Sequence, residues 1–323
     1  MIIDCHNHLG ADDELFRSGA LPYGQDLLTM TSIGRAGGVT NWIVFPFVHY
    51  RGQPGTLLPP PPGELAAPFA WENLRLAGEL RHQLPEQGRD CLQFAMLDPA
   101  RNTDLQIAAL RRLRDQYPIA GLKIQATVIK SPIGALHDVG SCFVDLAAEW
   151  DIPFIIHTSV IDNDPWSQAD EIAGIAESRP DVRFCLAHSC RFDRSVLDRI
   201  AGLANAWFDC SAHLIHCQSV VRELPIVAPP GRRFKSDYRD PVRVLADLAA
   251  AYPGKLIWGS DSPAYLWIEP AGSALPSLIA TYQEETACLR ALPEAVIREI
   301  AAKNTMNWLG TAEGSFPTTG SVS

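Results

Sequence analysis

The chain has no cysteine pair spaced as CxxC, no long basic stretch and no long apolar run. Its eight cysteines are scattered at positions 5, 91, 142, 185, 190, 210, 217 and 288. That density excludes a disulfide scaffold. Several thiols sit inside apolar runs such as CLQFAML and VRFCLAH, where buried reduced cysteine is the expectation. Lys and Arg number 27 against 37 Asp and Glu, a formal charge of −10. An acidic chain without a basic patch lacks the electrostatic footprint of a nucleic-acid binder. No apolar run approaches the roughly 18–20 residues that span a bilayer. The opening MIIDCHNHLG shows no basic segment followed by an apolar one, so no secretory leader is read there. The expectation is a cytoplasmic protein with neither nucleic acid nor membrane as partner. Disorder is excluded in turn, because 47% hydrophobic and 20% charged residues is ordinary globular composition. A length of 323 residues allows two domains or one large α/β barrel.

What is present is a repeat of short apolar runs and amphipathic segments. Candidate strands cover residues 2–5, 42–47, 91–97, 119–124, 153–156, 182–187, 206–210 and 256–258. Their near-continuous hydrophobicity is what strands buried on both faces require. Helical spacing fills residues 26–37, 71–84, 102–117, 135–150, 167–178, 193–204 and 240–251. Leu105 and Val139 are counted on the apolar faces of two of these. Asp193 and Asp240 have N-cap chemistry, and Pro241 suits a first helical turn. Eight strand–helix units in about 309 residues predict a closed (β/α)8 barrel over residues 1–309 in preference to an open doubly wound sheet, with a loose tail at 310–323. Extended loops are expected after strands 2, 7 and 8, at residues 48–70, 211–239 and 262–276. In a parallel barrel these lie at the active rim.

The chemistry begins at Asp4-Cys5-His6-Asn7-His8. Residues two apart on a strand face one side, so His6 and His8 project together as a divalent-metal half-site. Asp4 faces the same side one step deeper and suits a carboxylate that orients a ligand. His157, His188 and Asp261 each come at the end of an apolar strand, in PFIIHTS, FCLAHSC and LIWGSDSP. All strand ends of a barrel meet at one rim, so four imidazoles and one carboxylate converge there.

The HxH opening, the HTS and AHS strand ends and the late GSDSP resemble the amidohydrolase superfamily. More narrowly they resemble the amidohydrolase-related group that includes aminocarboxymuconate semialdehyde decarboxylase and lactone hydrolases of the pyrone dicarboxylate type. The resemblance runs from Met1 to about Leu309. It implies a metal held by His6, His8, His157 and Asp261: zinc or another divalent first-row ion, one per chain. It implies that His188 either polarises substrate and transfers protons or ligates a second metal. Lys123, in GLKIQ, falls where binuclear members carry a carboxylated bridging lysine, which would bring the count to two ions. A substrate-binding cation or a structural lysine are the other readings of this residue.

Such a centre suits hydrolytic attack on a small lactone, amide or ester, cyclic or carboxylated, with Asp261 and His188 handling protons. A nonhydrolytic decarboxylase is the alternative, and a barrel that binds metal or ligand without turnover is a third reading. His213, Arg232, Arg233, Trp166 and Tyr265 are further candidates to touch substrate, with His213 and His216 placed in a loop and the arginines in a small basic cluster that attracts a carboxylate. The resemblance also implies a homodimer as a possible assembly.

Overall fold

A computed structural model describes residues 1–267, 278–311 and 316. Eight strands follow one another as β1 (Ile3–Ala11), β2 (Asn41–Pro46), β3 (Cys91–Met96), β4 (Gly121–Ile124), β5 (Phe154–Ile156), β6 (Phe184–Leu186), β7 (Ala206–Asp209) and β8 (Leu256–Ile257). Each pairs in parallel with the next. The last turns back onto the first. Cys5 N donates to the Trp258 carbonyl at 3.3 Å, Asp261 N to the His6 carbonyl at 2.9 Å, and His8 N to the Ser262 carbonyl at 2.8 Å. Asn7 and Ser262 form a parallel bridge at the same seam. The sheet is therefore closed, as expected of eight strand–helix units. A two-residue strand, Gly24–Gln25, adds antiparallel to the end of β1.

The lack of alternation along the strands has a direct cause. In β2, Ile43 and Phe45 join Cys5, Phe94, Ile155, Cys185 and Ile257 in the barrel interior. Trp42 and Val44 belong to the larger layer between sheet and helices. All four β2 residues are fully buried. Met306 and Trp308 of the closing helix, Asn304–Leu309, enter the interior cluster, so the barrel is a filled core. The cysteines are all free, and all but Cys142 are buried.

Asp26, Asp193 and Asp240 cap helices by accepting from Thr29 N, Ser195 N and Arg243 N. Two apolar positions do not behave as their spacing suggests. Leu105 is 57% and Val139 54% exposed, the latter because its helix starts only at Ser141. The segment after β7 is also not a plain loop: it contains the helix His213–Val221. The segment after β8 is described to residue 267, and the expected tail lies outside the described residues except for Gly310, Thr311 and Phe316. Among the described residues no helix is long and apolar enough to cross a membrane.

Candidate metal centre

The site starts on β1. Its pairing with β2 shifts register between Asp4 and Asn7, and the His6 and His8 rings lie 5.7 Å apart. Each ring has its Nδ1 committed. That of His6 is 3.1 Å from Asp209 Oδ2, and that of His8 is 2.9 Å from the Pro46 carbonyl. Both partners only accept, so each Nδ1 carries the proton and each Nε2 keeps a lone pair. Burial alone would raise the Asp209 carboxyl, but the His6 ring and the hydrogen bonds from Ser211 and His188 N outweigh it and hold it low.

Asp261 supplies the third donor from just beyond β8, in a left-handed conformation with φ 63°. Its Oδ1 is 3.3 Å from His6 Nε2 and 3.6 Å from His8 Nε2. The donor atoms of His6, His8 and Asp261 lie within 4.8 Å of one another. Two imidazole lone pairs and a carboxylate, with both rings locked by groups behind them, fit Zn²⁺ or a comparable first-row ion. Asp4 does not orient either ring. It accepts from Ser260 and Tyr282 instead, and Asp209 has the orienting role. Lys123, at the end of β4, is buried beneath the pair with Nζ 2.9 Å from His6 Nε2. Burial holds its ammonium down to about 8.

A second cluster stands beside the first. Arginine only donates, so His157 Nε2 accepts from Arg191 Nη2 at 3.1 Å. His157 Nδ1 then donates to His188 Nε2 at 2.9 Å, and His188 Nδ1 donates to the Ser211 carbonyl at 3.1 Å. His216 Nε2 accepts from Arg191 Nη1. Burial, reinforced by the Arg191 charge, pushes His157, His188 and His216 well below the ordinary histidine range, so all three are neutral at pH 7. The structure thus places His157 in the site, against His188 and Arg191 and outside the three-donor cluster. Burial raises the Asp261 carboxyl, while His6 and Lys123 oppose the rise.

Both clusters line one cavity of roughly 400 Å³, whose walls include Phe47, Val48, Val128, Ile215, Ile226 and Leu278. His6, His8, His157, His188 and Asp261 reach it. Five expected substrate contacts do not. His213 is buried in its helix, with Nε2 2.9 Å from the Pro241 carbonyl, and burial lowers it to about 4. Arg232 pairs with Asp193, and Arg233 donates to the Ala228 carbonyl. Both line a separate groove near residues 160–163. Trp166 packs against the helix-side core. Tyr265 is buried with its hydroxyl 3.1 Å from Ser262 Oγ and its ring stacked on Tyr282.

Three functional candidates were not signalled as such. Asp209 ends β7 in AWFDC and obeys the strand-end rule that singles out His157 and His188. His216 stands on the helix His213–Val221, where the sequence pattern predicts a loop. Arg191 follows His188 by three residues, and nothing in HSCRF announces that it turns inward. His49, which follows β2, also lines the cavity, with Nδ1 3.0 Å from Asp12 Oδ2.

Near His49 the half-buried Glu72 accepts from Arg51 N at 2.9 Å, and burial raises its carboxyl to about 7. A carboxyl raised in the fold contributes stability below its unfolded value of 4.5 and loses it as pH climbs through 7. Melting temperatures between pH 5 and 8 should therefore fall in the wild type relative to Glu72→Gln. Parallel curves for the two proteins would refute this.

The family model described as amidohydrolase matches residues 3–311. No curated protein matches the chain. Among solved structures, an amidohydrolase from Burkholderia multivorans aligns over 97% of this chain and 100% of its own, at 14% identity and TM-score 0.64. A 2,6-dihydroxybenzoate decarboxylase from Rhizobium aligns over 96% and 98%, at 13% identity and TM-score 0.61. A dihydroorotase from Campylobacter jejuni aligns over 97% and 84%, at 14% identity and TM-score 0.57. At such identities the likeness is one of fold. With the family model spanning nearly all of the sequence, the chain belongs to the amidohydrolase family.

Proposed function

We propose that this chain is a divalent-metal-dependent hydrolase acting on a small lactone, amide or ester, cyclic or carboxylated. The observation that carries the reading is the cluster of His6, His8 and Asp261, with each imidazole proton held on Nδ1 by an acceptor so that Nε2 carries the lone pair, which in His6 faces Lys123 Nζ. Zinc held by these residues would supply a bound water acidified toward pKa ~7 and a Lewis acid for the carbonyl. The chain's own residues do the rest. Asp261, beside the pair, is the carboxylate placed to take a proton and pass it to a leaving group. His188 is neutral with Nδ1 tied to Ser211, so Nε2 is its accepting atom and proton transfer is its role. The largely apolar walls lower the polarity around the reacting groups.

Those same walls favour a second reading, a decarboxylase. A carboxylate stripped of water in an apolar cavity is destabilised relative to the CO₂ it releases. The related fold of the 2,6-dihydroxybenzoate decarboxylase is consistent with that chemistry. Turnover of a lactone, amide and carboxylate panel in ¹⁸O-labelled water separates the two. A hydrolase puts the label in its organic product, and a decarboxylase releases CO₂ with an unlabelled organic product. His188→Asn is expected to keep its zinc and lose about 10²–10⁴-fold in kcat. Loss of zinc from that variant would make His188 a ligand. Elemental analysis should return about one ion per chain; two would indicate a carboxylated Lys123.

A further inference from the structure

Among the described residues that line the cavity, Arg191 is the cation that neither the metal cluster nor proton transfer employs. It reaches the cavity through an uncommon backbone. His188, Ser189, Cys190, Arg191 and Phe192 all have positive φ, between 47° and 62°, and none is glycine. Residues with a Cβ avoid this region, and a run of five survives only where the surroundings over-determine it. Here they do. Asp209 Oδ1 takes His188 N at 3.0 Å, and the Thr158 carbonyl takes Arg191 Nε at 2.8 Å. The Arg191 carbonyl takes Ala228 N at 2.9 Å, and the Phe192 carbonyl takes Phe234 N at 2.8 Å. Arg232, paired with Asp193, ties the 228–234 loop to the end of the turn. The fold thus spends backbone strain to hold one guanidinium in one place.

That guanidinium meets two neutral histidines and a carbonyl, and no ion pair to a carboxylate is formed by it among the described residues. It is half-buried and lines the cavity. Of the five N–H groups of an arginine, the three contacts use one on each nitrogen, leaving one on each terminal nitrogen. Two donors on one planar group match the two oxygens of a carboxylate. Most of the remaining wall is apolar, with Val48, Val128, Ile215 and Ile226 among its residues and Gln125, Thr127 and His49 as its polar exceptions.

We propose that Arg191 is the carboxylate-binding residue of this cavity, and that its ligands are small monoanions carrying one carboxylate on an apolar body. This rests on the reading of the cavity as the substrate site. A purely structural Arg191, bracing His157 and His216, is the alternative to be overturned.

Calorimetric titration with benzoate and with its neutral isostere benzamide tests the proposal. The full chain is used, both zinc-loaded and stripped with a chelator. Benzoate is expected to bind at least about tenfold more tightly than benzamide in both forms, the scale of a charge-assisted pair. Arg191→Met should erase that preference while leaving benzamide binding in place, and Arg191→Lys should restore part of it. Equal binding of the two probes to wild type would overturn the proposal without reference to any variant. So would a preference that survives intact in folded Arg191→Met. A preference that vanishes on stripping and persists in Arg191→Met would assign the carboxylate to the ion, overturning Arg191 and sparing the metal reading. A preference that holds in a chain unable to bind zinc would support Arg191 and overturn the hydrolase.

Discussion

Asp209→Asn is expected to weaken zinc binding by about 10–100-fold, although Asp209 is one atom layer removed from the cluster. The reason lies in which oxygen does what. Oδ1 of Asp209 accepts from His188 N, Ser211 N and Ser211 Oγ, while Oδ2 faces His6 Nδ1 at 3.1 Å. In an asparagine the single oxygen has to serve the three donors, so the amide nitrogen falls opposite His6. An NH₂ there requires an accepting Nδ1. The imidazole proton then moves to Nε2, the atom whose lone pair a metal needs. The substitution keeps the size of the side chain, removes one buried negative charge and reverses the His6 tautomer, and the last two changes both weaken the site for a cation. Chelator competition on the purified variant measures the affinity, and His6→Ala gives the floor. Wild-type affinity in Asp209→Asn would show that the His6 tautomer is set elsewhere.

The sequence exposes this centre unevenly, and the reasons are physical. Parallel strands closed into a barrel bring their C-terminal ends to one rim, so a polar residue after an apolar run carries positional information. That rule finds His157, His188 and Asp261, and the two-residue period finds His6 and His8. Asp209 satisfies the same rule at the end of β7, yet a lone strand-end aspartate has the look of a helix cap, as Asp193 and Asp240 are. The helix His213–Val221 is harder to see. It buries His213, Ile215, His216, Cys217, Ser219 and Val220, so no polar face marks its period. The inward course of Arg191 depends on a left-handed run supported by residues 158, 209, 228 and 234, none of them local. Arg232 is legible as a cation and illegible as a partner, because the Asp193 it pairs with is 39 positions away.

Asp4→Ala is the substitution expected to cost the most stability, about 3–5 kcal/mol, because it breaks a buried polar hub at the seam of the barrel. Asp4 is fully buried. Its oxygens accept from Ser260 N at 2.9 Å, Ser260 Oγ at 2.7 Å, Tyr282 OH at 2.6 Å and His6 N at 3.3 Å. The Tyr282 hydroxyl in turn accepts from Trp42 Nε1 at 3.0 Å. One carboxyl therefore fastens β1 to the residues after β8 and to the helix Tyr282–Arg290. Alanine leaves two buried amides, Ser260 N and His6 N, and a hydroxyl pair without this acceptor and opens a void as well. Burial raises the Asp4 carboxyl, and the hydrogen bonds only partly offset this, so the charge itself is a cost to the fold. Asp4→Asn keeps an acceptor and the volume without the charge, and it should lose less than half as much. Urea unfolding followed by circular dichroism reads both losses. The seam predicts where the damage concentrates: the amides of Cys5, His8 and Asp261, which bond across it, should exchange with deuterium faster in Asp4→Ala than amides between β4 and β5. Because His6 and Asp261 straddle this seam, zinc affinity should fall with it. A loss below about 1 kcal/mol, with exchange unchanged at the seam, would mean that the backbone bonds alone close the barrel.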